Sequence, residues 1–77
     1  MRVKRYPLYG FTDKLTNLMA ESNMTLIEMA DIIGVERKTL ANYRDGVSNP
    51  DTLALAKICK LFNVSADWLL GLKAEQW

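Results

Sequence analysis

From Phe11 onward the apolar residues recur at three and four positions, and each such run is cut short by Gly or Asn. That punctuation restricts the chain to short helices packed on one another. Phe11, Leu15, Leu18 and Met19 stand at i, i+4, i+7 and i+8, one face of a first helix. Thr12 is its expected N-cap, Asp13 lies in its first turn, and Asn23 is its left-handed stop. Thr25-Leu26-Ile27-Glu28 reads as a capping box, in which the Thr oxygen takes the N3 amide and Glu28 reaches back. Leu26, Met29, Ala30 and Ile33 then form a second stripe that Gly34 ends.

After Val35, a third helix is expected over 36–44, with Leu40 and Tyr43 inward and Asp45-Gly46 as its stop. Asn49 as N-cap and Pro50 at N1 open a fourth helix, whose expected buried stripe is Leu55, Ile58, Cys59 and Phe62. Asn63 ends it. Ser65 caps a short fifth helix over 66–70, closed by Gly71, with Trp68 expected to pack it against the fourth. No strand alternation follows residue 10. The expectation is an all-α, five-helix domain over 11–72, preceded by a basic arm (1–10) and followed by a tail (73–77).

At 77 residues, 49% of them hydrophobic, the chain has material for one core and little surplus for a deep catalytic cleft. It has no histidine and one cysteine, Cys59. Those counts exclude an internal disulfide, His-based triads and a zinc site built on His or several Cys. The carboxylates are scattered singly, so no acid/base pair stands out. Neither an enzyme, a cofactor, a metal nor a small-molecule substrate is expected. With no secretory signal pattern and no apolar run of membrane-spanning length, the expected location is cytoplasmic.

The net charge of +1 argues weakly against a nucleic-acid binder. Its distribution says more: Arg2, Lys4 and Arg5 put three cations in the first ten residues, so any other basic surface is local. The arm has three readings: a disordered tail, a basic arm reaching phosphates or the minor groove, or a strand added to a partner.

The second and third helices, joined through Gly34-Val35, have the sequence form of a helix-turn-helix. Small Ala30 allows a close crossing, and Val35 and Leu40 fill the angle. With Leu40 and Tyr43 inward, Arg37, Lys38, Ala41, Asn42 and Asp45 point out. A helix fits the major groove of DNA and its N-terminal residues reach base edges first. Arg37 and Lys38 suit guanine O6 and N7, and Asn42 suits adenine. An Arg-Lys pair on an isolated exposed helix is ordinarily just a solvated face; its place on a Gly-turned pair raises the DNA reading above that. Thr39, Ser48, Asn49 and the amides at the start of the second helix, Thr25 and Leu26, are candidates for phosphate contact. Glu36 opposes phosphates; it has two readings, an interaction with the helix dipole or acceptance from a cytosine amine.

Residues 11–72 resemble the lambdoid phage repressor and Cro family, the xenobiotic-response-element-type helix-turn-helix regulators. The matching words are Thr25-x-x-Glu28-Met29-Ala30, Gly34-Val35, Thr39-Leu40, Gly46-x-x-Asn49-Pro50 and Val64-Ser65-x-Asp67-Trp68-Leu69-Leu70. The resemblance implies a sequence-specific transcriptional regulator, commonly a homodimer, of phage, mobile-element or stress-module type. It places base readers at Arg37, Lys38 and Asn42, and a backbone contact at Thr39. Three departures stand out. Leu26 replaces a Gln common in relatives, Glu36 replaces a Ser, and Met19 and Arg44 replace an Arg–Glu pair, which leaves Arg44 for solvent or a phosphate.

Leu69, Leu70, Leu72 and Trp77 offer apolar surface for a dimer interface, for the core, or for a further domain. A two-fold dimer implies a palindromic double-stranded operator. The alternative is a repressor-like module whose main partner is protein, such as an antitoxin or anti-repressor; the near-neutral charge and Leu26 favour it.

Overall fold

The computed structural model of the chain describes residues 10–76. The expectations for the arm fall, apart from Gly10, outside those residues, as does the one for Trp77. Five helices run in order: α1 (Phe11–Glu21), α2 (Leu26–Ile33), α3 (Arg37–Asp45), α4 (Thr52–Phe62) and α5 (Ala66–Leu69). Among the described residues there is no strand. The all-α expectation holds. The first helix packs on α3 and α5, α2 packs on α3 and α4, and α4 closes on α5.

The buried centre is wholly apolar. Phe11, Leu15, Met29, Ile33, Leu40, Ile58 and Leu69 are its large, fully enclosed side chains, and among the described residues no polar or charged one is buried with them. Each fully buried aliphatic side chain contributes about 1.5–3 kcal/mol over leaving it in water. Met19 is buried, so the departure from an Arg–Glu pair gives a core without an ion to desolvate.

Three boundaries differ from the sequence expectation. Thr12 does not cap α1; Gly10 does, at φ 81°, without a side-chain bond, because Phe11 must already be helical to reach the core. The fourth helix starts later than Asn49-Pro50 suggests: Asp51 is its N-cap and accepts from the Ala54 amide at 2.8 Å. Both Asn49 and Asp51 are good caps, and packing decides between them. The later start centres the buried stripe on Ala54 and Ile58, leaving Leu55, Cys59 and Phe62 half-buried along its flank. Burial raises the Cys59 thiol pKa above its usual value. The third helix is shifted by one residue, with Glu36 as N-cap and Gly46 in the left-handed region at its end.

The fifth helix departs most. Leu69 is completely buried, so it belongs to the core and is not free for a partner. Trp68 is half-buried and faces α1, where the Lys14 ammonium lies 5.1 Å from its ring centroid and donates to its carbonyl at 2.8 Å. The segment beyond Leu72 folds back, and the Ser65 amide donates to the Gln76 carbonyl at 2.7 Å.

Candidate nucleic-acid interface

The start of α2 is a complete capping box. Thr25 Oγ1 accepts from the Glu28 amide at 3.1 Å, and the Thr25 amide donates to Glu28 Oε1 at 2.8 Å. The Thr25 hydroxyl also donates to that oxygen, at 3.2 Å. Both donors of Thr25 are therefore committed to Glu28. The expectation that its amide meets a phosphate is corrected, since that amide is already engaged; the expectation for the next amide, of Leu26, meets no such obstacle. The helix then ends at Gly34, φ 84°, where the amides of Gly34 and Val35 both donate to the Ala30 carbonyl, at 2.8 and 3.0 Å. This tight left-handed turn favours glycine and sets the crossing of α2 and α3. Ala30 is buried at the contact, as the close approach requires.

Across the turn, α3 fixes its orientation through Leu40 and Tyr43, exposed by 0% and 6%. With those two side chains inward, the helical period sends the other side to solvent. Arg37 and Lys38 are exposed in the first turn, Ala41 and Asn42 are half-buried one turn later, and Asp45 is exposed at the end. Thr39 is half-buried on the flank. The Asn42 carbonyl accepts from the amides of Val47 and Ser48, at 2.8 and 3.3 Å, which ties the following loop to the helix. Ser48 and Asn49 are exposed on that loop. The structure thus brings Arg37, Lys38 and Asn42 onto one outward face of α3.

Arg44 departs from its expected freedom. Its guanidinium holds the neighbouring Asp45 in a two-pronged pair, Nε to Oδ1 at 2.9 Å and Nη2 to Oδ2 at 3.2 Å. Each charge steadies the other: Asp45 is lowered and Arg44 raised from their ordinary pKa values, chiefly through this hydrogen bonding. Sequence pattern does not predict such a pair, because residues i and i+1 do not normally face each other on a helix. Leu70 is half-buried against the core, whereas Leu72 remains 68% exposed. A recess of about 140 Å³ between α1 and α5, lined by Lys14, Leu18 and Trp68 among others, is smaller than an ordinary ligand pocket.

The family model described as a helix-turn-helix domain matches residues 13–75, the whole of the folded unit from the first turn of α1. The chain belongs to the helix-turn-helix family of repressor and Cro type. It is 36% identical over 64 residues to the HTH-type transcriptional regulator AnsR of Bacillus subtilis, covering 83% of this chain and 55% of that protein. To the HTH-type transcriptional regulator ImmR of the same organism it is 34% identical over 58 residues, 75% of this chain and 46% of that one. The chain spans about half the length of these relatives. Among solved structures it is similar to the N-terminal DNA binding domain of SinR from Bacillus subtilis, with a TM-score of 0.73 and 25% identity. That match covers 86% of this chain and 97% of the SinR domain.

Proposed function

We propose that this helix-turn-helix domain is the DNA-reading part of a transcriptional regulator, and that α3 enters the major groove of a double-stranded operator. The observation that carries the reading is the outward face of α3. Among the described residues Arg37 and Lys38 stand exposed in its first turn with no carboxylate paired to them, and Asn42 lies one turn beyond. These are donors to guanine and an amide suited to adenine, at the end of the helix that meets base edges first. Thr39, Ser48, Asn49 and the Leu26 amide are the backbone contacts in this reading. Arg44 is a phosphate contact only if Asp45 releases it. The relatives named as transcriptional regulators support the same assignment.

The regulator acts as a homodimer on a palindromic site in this proposal, with reading helices about 34–36 Å apart. Leu72, the exposed apolar residue of the C-terminal segment, together with Leu70 and Trp77, is the proposed interface. Repression follows from occupying a promoter, in a phage or mobile-element setting, within the cytoplasm; among the described residues no helix is long and apolar enough to cross a membrane. Catalysis is no part of this reading: the family is one of regulators, not of enzymes.

Selection of bound sequences from a random duplex pool at about 150 mM salt tests the proposal. An enriched palindrome is expected. Binding to it should weaken with salt at a log–log slope of about −0.9 per phosphate neutralised. Arg37→Ala and Lys38→Ala should each cost about 1–3 kcal/mol on that site. Folded protein that enriches nothing and shows no salt slope would instead make this a protein-binding module.

A further inference from the structure

The residue before α3 carries a function of its own. Helices α2 to α5 all begin at an N-cap with extended backbone. At three of them the cap side chain accepts the amide three residues on: Thr25 from Glu28, Asp51 from Ala54 and Ser65 from Trp68. Glu36 has the same backbone, φ −72° and ψ 154°, yet its carboxylate makes no such bond. Glu lies outside the set of favoured caps, whose shorter side chains reach the N3 amide. Nor does an ion pair occupy it: it is exposed beside Arg37 and Lys38, and the pair formed near this helix is that of Arg44 with Asp45. The carboxylate therefore projects from the entering end of α3 with its acceptor capacity unspent.

We propose that Glu36 is a specificity-determining residue, its carboxylate requiring cytosine at one base pair of the half-site by accepting from the N4 amine. The proposal rests on the DNA reading above and names what one more position of that helix recognises. A carboxylate only accepts. In the major groove guanine shows two acceptors, N7 and O6, and thymine shows the O4 acceptor, so both repel it. Adenine sets the N7 acceptor beside its N6 donor, a pattern that an amide matches and a carboxylate does not. Cytosine offers a donor alone. Glu36 thus works as much by penalty as by attraction: near phosphates, a carboxylate without its donor costs binding at every wrong site. Arg37 and Lys38, one and two residues on, supply the cations that hold it there against that repulsion.

The experiment repeats the duplex selection with the wild type, Glu36→Gln and Glu36→Ala, each checked for helicity by circular dichroism. Wild type should enrich C at one position of the half-site, by about ten-fold over the other bases. In Glu36→Gln the preference at that position should move to A, because the amide pairs with N6 and N7. In Glu36→Ala it should disappear, to within about two-fold, while the bases read by Arg37, Lys38 and Asn42 stay as they are. If all three proteins select the same half-site and differ only in affinity, Glu36 acts through phosphate repulsion and the proposal is overturned. A folded wild type that enriches no sequence overturns the DNA reading itself, and Glu36 as a reader with it.

Discussion

Helices α3 and α4 are consecutive in the chain and of similar length, nine and eleven residues, and both bury side chains in one apolar core, yet their ends are held in different ways. The fourth helix has its local ends satisfied: Asp51 caps the start, and left-handed Asn63 at φ 56° ends it, with the Val64 amide donating to the Cys59 carbonyl. The third has a glycine stop but no side chain capping its first turn; like α4 it buries two side chains, here Leu40 and Tyr43. It is fixed from beneath. Its polar side chains are not used to build the fold, apart from the Arg44–Asp45 pair, and that leaves them for a partner. A helix anchored by two inward side chains, with no polar side chain spent on its first turn, leaves most of its outer face open to solvent.

Removing the anchor is the severest way to break this contrast. Leu40→Ala should lower the unfolding free energy by about 2–5 kcal/mol, as should Ile58→Ala in α4, since both side chains are completely enclosed. The two should separate in a DNA-binding assay below the melting temperature. Loss of Leu40 loosens the reading face, whereas loss of Ile58 leaves it seated. Urea unfolding followed by circular dichroism, with a duplex titration alongside, checks both halves.

The caps give a smaller effect that sharpens the comparison. Asp51→Ala removes the bond to the Ala54 amide and should cost about 1 kcal/mol. Glu36→Ala removes no bond from the fold and should change stability by no more than about 0.5 kcal/mol. Equal losses at the two positions would mean that Glu36 supports α3 after all.

The smallest change in stability is expected at the end of α3. The Arg44 guanidinium depresses the Asp45 carboxyl, so the pair's contribution is present above the ordinary aspartate range. It is lost as pH falls through the lower folded-state value. Asp45 is exposed and Arg44 is only partly covered, so solvent screens the pair and this acid dependence is slight. Asp45→Asn should therefore melt like wild type. It should bind duplex DNA with a steeper salt slope, because Arg44 is released to meet a phosphate.

Features governed by neighbours in sequence are the ones a reader of the sequence finds. The Thr25–Glu28 box, the Gly34 turn and the stops at Asn23 and Asn63 follow local rules, and each stands in the structure as the rule requires. Where two local signals compete, packing chooses: Asn49 and Asp51 flank Pro50 as rival caps, and the one that turns Ala54 and Ile58 inward prevails. A four-residue helix has no period to read, which is why Leu69 looks available from sequence and is in fact enclosed. On the candidate interface, residue type and spacing single out Arg37, Lys38 and Asn42, and the structure sets them on the outer side of α3. What spacing does not reveal is which groups are already engaged, as the Thr25 donors and Arg44 are, and which are free, as Glu36 is.

Cys59 lends itself to timing. It is the chain's one thiol, half-buried on α4, and burial raises its pKa above that of a free cysteine. The thiolate is the form that reacts, so alkylation is slowed while α4 stays packed and quickens when α4 opens toward water. The rate of thiol labelling then reports on that opening, with no probe added to the outer face of α3.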